Sequence, residues 1–518
     1  MKKISVIDLF AGPGGLAEGF SSVQKQGKRR FDVRLSIEKD EHAHKTLELR
    51  SFYRQFDPGA APDNYYDVLR ATDLKERAQL RRMLFDEFGE FGERAKTEAW
   101  NATLGSPEFP PDLVDSRISE ALGGVRDWVL IGGPPCQAYS LVGRSRVGGI
   151  DPEDHRVYLY KEYLRIIARH HPAVFVMENV KGLLSAKVDG ASVFEMMLRD
   201  LSEPGRVFSG LKSPGYRIYS LVKQGTLKPA DYLIKSELYG VPQKRHRVIL
   251  LGIREDIGVE PGILAPHNEK VSFESIVEKL PPLRSGLNRE ISGTIKRDDK
   301  IRRLYTNLKD SDEEWERRMN DFRREILDFD GLKSESLPVV YRAPTDSLGS
   351  EFVYCEETLD PNHSLYDWYF DTRLGGVPNH QSRSHLVSDL KRYMFSSVYA
   401  KSELGFPRMK DYASHDASLV PDHKNALSGI FTDRFRVQLP GVPATTVTSH
   451  ISKDGHYFIH YDTSQCRSLT VREAARVQTF PDNYLFCGSR TQQFHQVGNA
   501  VPPYLAMQIG KIVESILS

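Results

Sequence analysis

The chain has 518 residues, so at about 150 residues per domain it holds roughly three to four units, or two if one of them is a large α/β domain with insertions. Apolar residues make up 40%, charged residues 27%, and the 39 glycines and 29 prolines are ordinary shares, which excludes collagen-like, coiled-coil and largely disordered chains. The formal net charge is +1, so overall charge does not speak for or against a polyanionic partner, and any basic surface is local.

Four cysteines, Cys136, Cys355, Cys466 and Cys487, contain no C-x-x-C pair. That argues against a zinc ribbon or a disulfide framework and for reduced thiols in a cytoplasmic setting. The apolar run Ile4 to Phe10 follows Lys2-Lys3, but Asp8 interrupts it, which a secretory signal does not tolerate. No stretch approaches the roughly 20 apolar residues of a membrane span, so no membrane partner is expected.

In chain order, Ile4 to Phe10 reads as a buried strand, residues 11–15 as a tight Gly-rich loop, and Leu16 to Ser22 as the start of a helix. Phe31, Val33, Leu35 and Ile37 alternate with polar residues and predict a second strand ending at Glu38. Residues 70–126 are charged and helix-favouring and read as an insertion between strands. A strand at Trp128 to Ile131 runs into Gly132-Gly133-Pro134-Pro135. A helical pattern over Tyr160, Tyr163, Leu164 and Ile167 precedes a strand at Ala173 to Met177, which ends in Glu178-Asn179. Tyr216 to Val222 and Val248 to Ile253 are two further strand-like runs. Strands alternating with helices imply an α/β class with a mostly parallel sheet.

From about 261 the pattern changes to loops, a charged helix near Glu313 to Leu327, and an expected hairpin over His450 to Tyr461 turning at Lys453-Asp454-Gly455. Thr470 and Glu473 form a capping box, and Leu505, Ile509, Ile512, Val513 and Ile516 share one face of a final helix. The expected division is a first domain over 1–260, a second over 261–487 that includes the Arg472 helix, and a segment 488–518 that completes the first.

The loop Gly12-Pro13-Gly14-Gly15-Leu16-Ala17 brings backbone amides to a helix start, and Glu38 stands where an acid accepts from ribose hydroxyls. Taken alone, it fits a dinucleotide, another nucleoside cofactor or a structural turn. Glu38, Cys136 and Glu178 each fall just past a predicted strand, where open parallel sheets bind ligands. Cys136 is presented from a loop stiffened by two prolines, as suits a nucleophile. Glu178 follows an apolar strand, where partial burial would let it act as an acid. Alternation sends Gln243, Arg245 and Arg247 to one side of a ribbon and Lys244 and His246 to the other. His450, His456 and His460, spaced by six and four with no cysteine nearby, do not make a metal site, and no metal is expected.

Five blocks together resemble the signature blocks of the DNA cytosine-5 methyltransferases. They are Asp8 to Gly15, Pro134-Pro135-Cys136-Gln137, Glu178-Asn179-Val180, Gln243-x-Arg245-x-Arg247, and Gln496-Val497-Gly498-Asn499-Ala500-Val501, in family order, with Arg472-Glu473-Ala474-Ala475-Arg476 before the last. The resemblance implies a Rossmann-like S-adenosylmethionine-dependent methyltransferase sheet with a second, smaller target-recognition domain. It also implies S-adenosyl-L-methionine as cofactor, held by Phe10, Gly12, Gly14, Gly15, Glu38, Pro134 and Asn499, with Asp67 as the adenine-facing acid. By the same likeness, Cys136 adds to C6 of a cytosine in duplex DNA, Glu178 engages N3, and Arg247 contacts the base carbonyl or the Cys loop. Gln243 and Arg245 belong to the same catalytic block, and Asn179 and Asn499 are supporting hydrogen-bonders.

A cytosine inside a duplex has to be extruded to reach such a thiol. The loop Ala138 to Asp151, with Arg144 and Arg146 for phosphates, is expected to fill the gap, and Arg383, His385, Lys391 and Arg392 are expected phosphate contacts. A cognate restriction endonuclease or phage-defence proteins are the implied companions. Competing readings are an RNA cytosine-5 methyltransferase, a non-catalytic DNA-binding protein on the same scaffold, and a flavin or NAD enzyme.

Overall fold

The computed structural model describes residues 2–134, 155–188, 190–208, 210–297, 300–421 and 435–518. Its centre is a sheet of eight strands: β1 (Ile4–Leu9), β2 (Phe31–Glu38), β3 (Ala99–Asn101), β4 (Val129–Gly132), β5 (Val174–Val180), β6 (Tyr216–Tyr219), β7 (Leu233–Lys235) and β8 (His246–Arg254). The spatial order is β6-β8-β5-β4-β1-β2-β3, with β7 pairing β8. Strands β3, β2, β1, β4 and β5 run parallel, whereas β8 is antiparallel to β5, β6 and β7. The strand order reverses direction at β1, between β2 and β4, and such a switch point opens a crevice at the carboxyl ends of the strands.

Helices cover both faces. One face packs Leu16 and Phe20 of α1 (Gly15–Ser21) against Leu505, Ile509 and Val513 of the final helix, Pro503–Ile516. The other face packs Val114 and Ile118 of the helix Pro111–Leu122 with Tyr163 and Leu164 of the helix His155–His170. Chain residues at the two extremes of the sequence thus share one core, as the apolar stripe of the last helix predicts. Among the described residues no helix is long and apolar enough to cross a membrane.

Three expectations change. The stretch 70–126 is not wholly an insertion, because its Ala99–Asn101 pairs with β2 and forms the sheet edge. Glu178 and Asn179 lie inside β5, not beyond it. The hairpin over 450–461 does not form: Ser449–Ser452 is a 3-10 turn, and Ile459 bridges Val437 and Ser468 instead.

A second core gathers residues between Val271 and Ala500, including Trp315, Tyr393, Ala474 and Phe480. Its helix Val471–Val477 starts with the predicted capping box. Thr470 Oγ1 accepts from Glu473 N at 3.2 Å and Glu473 Oε2 accepts from Thr470 N at 2.8 Å. The charges on that helix are buried in full: Arg467 makes two charge-assisted bonds to Glu473, and Arg476 makes two to Asp482. Each guanidinium also donates to carbonyls, Arg476 to those of Ile276 and Thr358, so no charge is left bare.

Candidate active site at the carboxyl edge of the sheet

The loop after β1 is strained in the sense that binding loops are. Phe10 has φ +56°, a left-handed conformation that a bulky residue seldom holds, and Gly12 and Gly14 follow at +57° and +92°. The glycines do different things. A Cβ on Gly12 would meet nothing within 4 Å, so this position borders open space, whereas one on Gly14 would lie 2.7 Å from Leu47 and one on Gly15 2.2 Å from the Val501 carbonyl. Tyr484, buried in an aromatic trio with Phe480 and Phe486, donates its hydroxyl to the Pro13 carbonyl and holds the loop from the second core.

Glu38 closes the loop from β2. Its Oε2 accepts from Gly12 N at 2.8 Å and its Oε1 from Asp40 N at 2.8 Å, while Asp40 caps the helix Glu41–Arg54 by accepting from His42 N and Ala43 N. Each carboxylate oxygen keeps a second lone pair for a ligand hydroxyl. Burial pushes the Glu38 carboxyl up, against the pull of those two amides. This donor set, an open recess beside Gly12 and a carboxylate fixed in place, fits the ribose end of a nucleoside cofactor.

Asp67 does not join it. It sits on the helix Asp63–Arg70, exposed and 3.2 Å from Arg70, because the third strand of the sheet is Ala99–Asn101 and not a segment near residue 67. The residue at the end of that strand is Asn101, whose Nδ2 donates to the carbonyls of Glu38 and Lys39 at 2.9 and 3.1 Å. Three residues are too few to show a period, so the sequence carries no signal for it.

On the other side of the switch point, Arg247 pairs with Glu178: Nε lies 2.7 Å from Oε1, with the Arg247 side chain 16% and the Glu178 side chain 14% exposed. The antiparallel direction of β8 makes this possible. Its amino end lies beside the carboxyl end of β5, with Ile249 opposite Glu178 and Arg247 opposite Val180. Gly133, which follows β4, passes so close that a Cβ there would stand 3.0 Å from Glu178 Oε2. The chain therefore enters Pro134 against the Glu178 carboxylate. Asn179 is buried and accepts from Val180 N, which fixes the strand end.

Gln243 and Arg245 precede β8 and are both buried, each bonded within the protein. Gln243 accepts from Val447 N at 2.6 Å and donates to Gln478, and Arg245 donates to the carbonyls of Val447 and Gly498 at 2.7 and 3.2 Å. Burial, reinforced by neighbouring Arg247, pushes the Arg245 guanidinium well down from its usual range. Gly498 is demanded at this seam, since a Cβ would lie 2.3 Å from Ser449 N. Asn499 next to it is exposed, with Nδ2 3.3 Å from the His495 ring, and the segment it begins leads to the Val501 carbonyl against Gly15.

Cys136, Arg144 and Arg146 lie outside the described residues. Of the other thiols, burial pushes Cys355 up to about 11 and Cys466 up to about 12, which keeps both protonated and unreactive. The expected phosphate contacts in the second domain are spent on structure. Lys391 pairs with Glu325 at 2.5 Å and Asp416 at 2.6 Å, Arg392 with Asp389 at 2.7 Å, and Arg383 donates to the Ile451 carbonyl and stacks on Phe494. His385 is buried between Ser468 and Tyr393. Among the described residues no group of three or more His, Cys, Asp or Glu is placed to hold a metal ion.

Comparison with known proteins bears on this arrangement directly. The model of the C-5 cytosine-specific DNA methylase family matches residues 125–515. The type II methyltransferase M.Bpa9945I of Bacillus paralicheniformis is 32% identical over 99% of both chains. The type II methyltransferase M.DdeI of Desulfomicrobium norvegicum is 26% identical over 74% of this chain and 71% of its own. A match that takes in Glu178, Arg247, the buried Arg472 helix and Asn499, with a full-length relative beyond it, establishes that the chain belongs to the C-5 cytosine-specific DNA methylase family.

Proposed function

We propose that the chain transfers a methyl group from S-adenosyl-L-methionine to C5 of a cytosine turned out of a specific sequence in duplex DNA. The observation that carries this reading is the Glu178–Arg247 pair set against Gly133, across the switch point from the Gly12–Glu38 recess. Phe10, Gly12 and Glu38, with Asn101 holding the Glu38 and Lys39 carbonyls, would seat the cofactor, which supplies an electrophilic methyl group when bound.

C5 of cytosine is a poor nucleophile until C6 is attacked. In this reading the Cys136 thiolate forms the bond to C6 and the C5–C6 electron pair moves onto C5, which makes C5 nucleophilic towards the methyl group that the cofactor would supply, its sulfur–methyl bond breaking to leave a neutral thioether. Loss of the C5 proton then restores the double bond as the Sγ–C6 bond breaks. Glu178, in its protonated form, donates to N3 of the ring, where negative charge develops on C6 attack, and Arg247 holds that carboxyl group in place and reaches the base carbonyl. Extrusion of the base costs a few kcal/mol of unstacking and unpairing, which the loop 138–151 with Arg144 and Arg146 would offset. The relatives named type II methyltransferases support a restriction-modification setting, with a cognate endonuclease as companion and the cytoplasm or nucleoid as address.

The test offers duplex DNA and single-stranded RNA with methyl-labelled cofactor, followed by bisulfite sequencing of DNA from cells expressing the chain. Label in duplex DNA and a protected cytosine at one short sequence support the reading. Label in RNA alone, or duplex binding with label in neither, overturns it.

A further inference from the structure

The helix Val471–Val477 and the turn that follows it reach beyond the second core. Arg472 is wholly buried and faces Asp482 only at 3.9 Å. Its donors go to carbonyls instead, Nη1 to Pro481 at 3.0 Å, Nη2 to Tyr484 at 2.6 Å and Nε to Pro378 at 2.9 Å. The turn 481–484 is thus folded over that guanidinium, and Tyr484 N closes it on the Pro481 carbonyl at 3.0 Å. With its backbone fixed and its ring packed on Phe480 and Phe486, at 4.7 and 5.4 Å between centroids, Tyr484 has one polar atom left to place.

That hydroxyl donates to the Pro13 carbonyl in the loop after β1. The opposite edge of the same peptide, Gly14 N, donates to the Ala11 carbonyl at 2.9 Å. A peptide unit is planar, so a bond at each edge fixes its rotation. The rotation of this plane sets ψ of Pro13 and φ of Gly14, which stands at +92°. It therefore decides how the amides that open α1 are aimed. Gly14 precedes α1 with no side chain to cap it, so the orientation is held from outside the loop. Ring and loop are in close contact, since a Cβ on Gly14 would lie 3.1 Å from the Tyr484 hydroxyl.

The residue before Tyr484 holds the helix that the loop feeds. Asn483 accepts from Arg50 Nη1 through its Oδ1 at 3.0 Å and through its carbonyl at 3.2 Å. Arg50 in turn forks the buried Glu18 carboxylate of α1 at 2.9 and 2.6 Å. Its guanidinium lies between two rings, 3.9 Å from the centre of Tyr53 and 4.8 Å from that of Tyr484. Residues 483 and 484 therefore grip the loop at Pro13 and, through Arg50, its helix at Glu18.

We infer that Tyr484 is a positioning residue for the cofactor: its hydroxyl keeps the peptide between Pro13 and Gly14 in the orientation that the Gly12–Glu38 recess needs. This rests on the preceding reading, in which S-adenosyl-L-methionine occupies that recess. Cofactor affinity is then set in part by the second core, 471 residues away in the chain. Without the hydroxyl the peptide samples other orientations, and apparent affinity falls with the share of chains whose loop is competent to bind. Once cofactor is bound the loop is the same, so the chemical step is not slowed.

The experiment compares the unaltered full chain with Tyr484→Phe, which removes one oxygen and keeps the ring, and with Tyr341→Phe as a matched control. Tyr341 is buried in the same core, and its hydroxyl donates to the Thr463 carbonyl at 2.7 Å. Measurements are amide hydrogen exchange over residues 11–17 without cofactor, S-adenosyl-L-methionine affinity by calorimetry, KM and kcat for methylation, and the melting temperature. Tyr484→Phe is expected to speed exchange in the loop and to raise Kd and KM for the cofactor about five- to tenfold, the worth of one buried hydrogen bond, with kcat at saturating cofactor within about twofold. Tyr341→Phe is expected to lower the melting temperature to a similar degree, with loop exchange and cofactor affinity within about twofold. Equal losses of cofactor affinity in the two variants overturn the proposal, because the effect is then a general loosening of the core. A lower kcat with KM unchanged, or a lower melting temperature in Tyr484→Phe with cofactor affinity intact, does so as well. Should the unaltered chain bind no S-adenosyl-L-methionine, the reading of the preceding subsection is what fails, and exchange over residues 11–17 still decides whether Tyr484 fixes the loop.

Discussion

Charged side chains at the carboxyl edge of the main sheet and those in the region between 261 and 466 are used in opposite ways. At the sheet edge, Glu38 accepts from two backbone amides, and Glu178 and Arg247 pair with each other and stay partly exposed. In the second region, Lys391, Arg392 and Arg383 are enclosed, and each charge is consumed by carboxylates or carbonyls of its own domain. A basic residue of the second domain is thus as able to be a structural strut as a surface contact. What separates the two is whether an acid or a carbonyl of the same domain reaches it.

Substitutions on each side should break in different currencies. The largest effect is expected from Arg247→Ala, which leaves Glu178 without its partner: a fall in the methylation rate of about 10²- to 10⁴-fold, with duplex affinity within about threefold, read in single-turnover assays. Arg476→Ala should instead cost stability, about 3–5 kcal/mol, because it strands Asp482 in a full burial. Urea unfolding followed by tryptophan fluorescence checks this, and cofactor binding by the folded fraction should stay normal.

The second core also predicts an acid-sensitive fold. Burial outweighs the pull of Glu473 and pushes His380 and His460 down to about 4, below the roughly 6.5 of an unfolded histidine. The unfolded chain therefore takes up protons first. The stability these two neutral rings contribute is complete above about pH 6.5 and is lost as pH falls towards 4. Glu473, held well below the carboxylate range chiefly by Arg467 against its burial, adds a loss of the same sign at lower pH. The urea midpoint should fall through this window, and less steeply in His380→Asn. The smallest effect is expected from Lys391→Met, about 1–3 kcal/mol of stability with no change in duplex affinity per folded molecule. A weaker affinity there would mean that Lys391 leaves Glu325 and Asp416 to meet phosphate.

Much of the first region is legible from residues alone. Period-two alternation marks β2 to within a residue, and the apolar stripe of the last helix anticipates its docking on the first core. The capping box at Thr470 is local, so it too can be read. The failures have a common cause. The direction of β8, the entry of Ala99–Asn101 into the sheet, and the burial of Gln243, Arg245 and Lys391 are set by partners outside the local segment, from 25 residues away for Lys391 to 234 for Gln243, and no local pattern encodes them.

The proposed reaction requires a sulfur of this chain to bond to a pyrimidine carbon. A duplex carrying 5-fluorocytosine at the target position cannot lose a proton from C5, so incubation with S-adenosyl-L-methionine, then denaturation and peptide mass spectrometry, reads that bond directly. The prediction is a protein–DNA adduct mapping to Cys136 and absent from Cys136→Ala. Methyl transfer without an adduct, or an adduct on Cys355, Cys466 or Cys487, contradicts it.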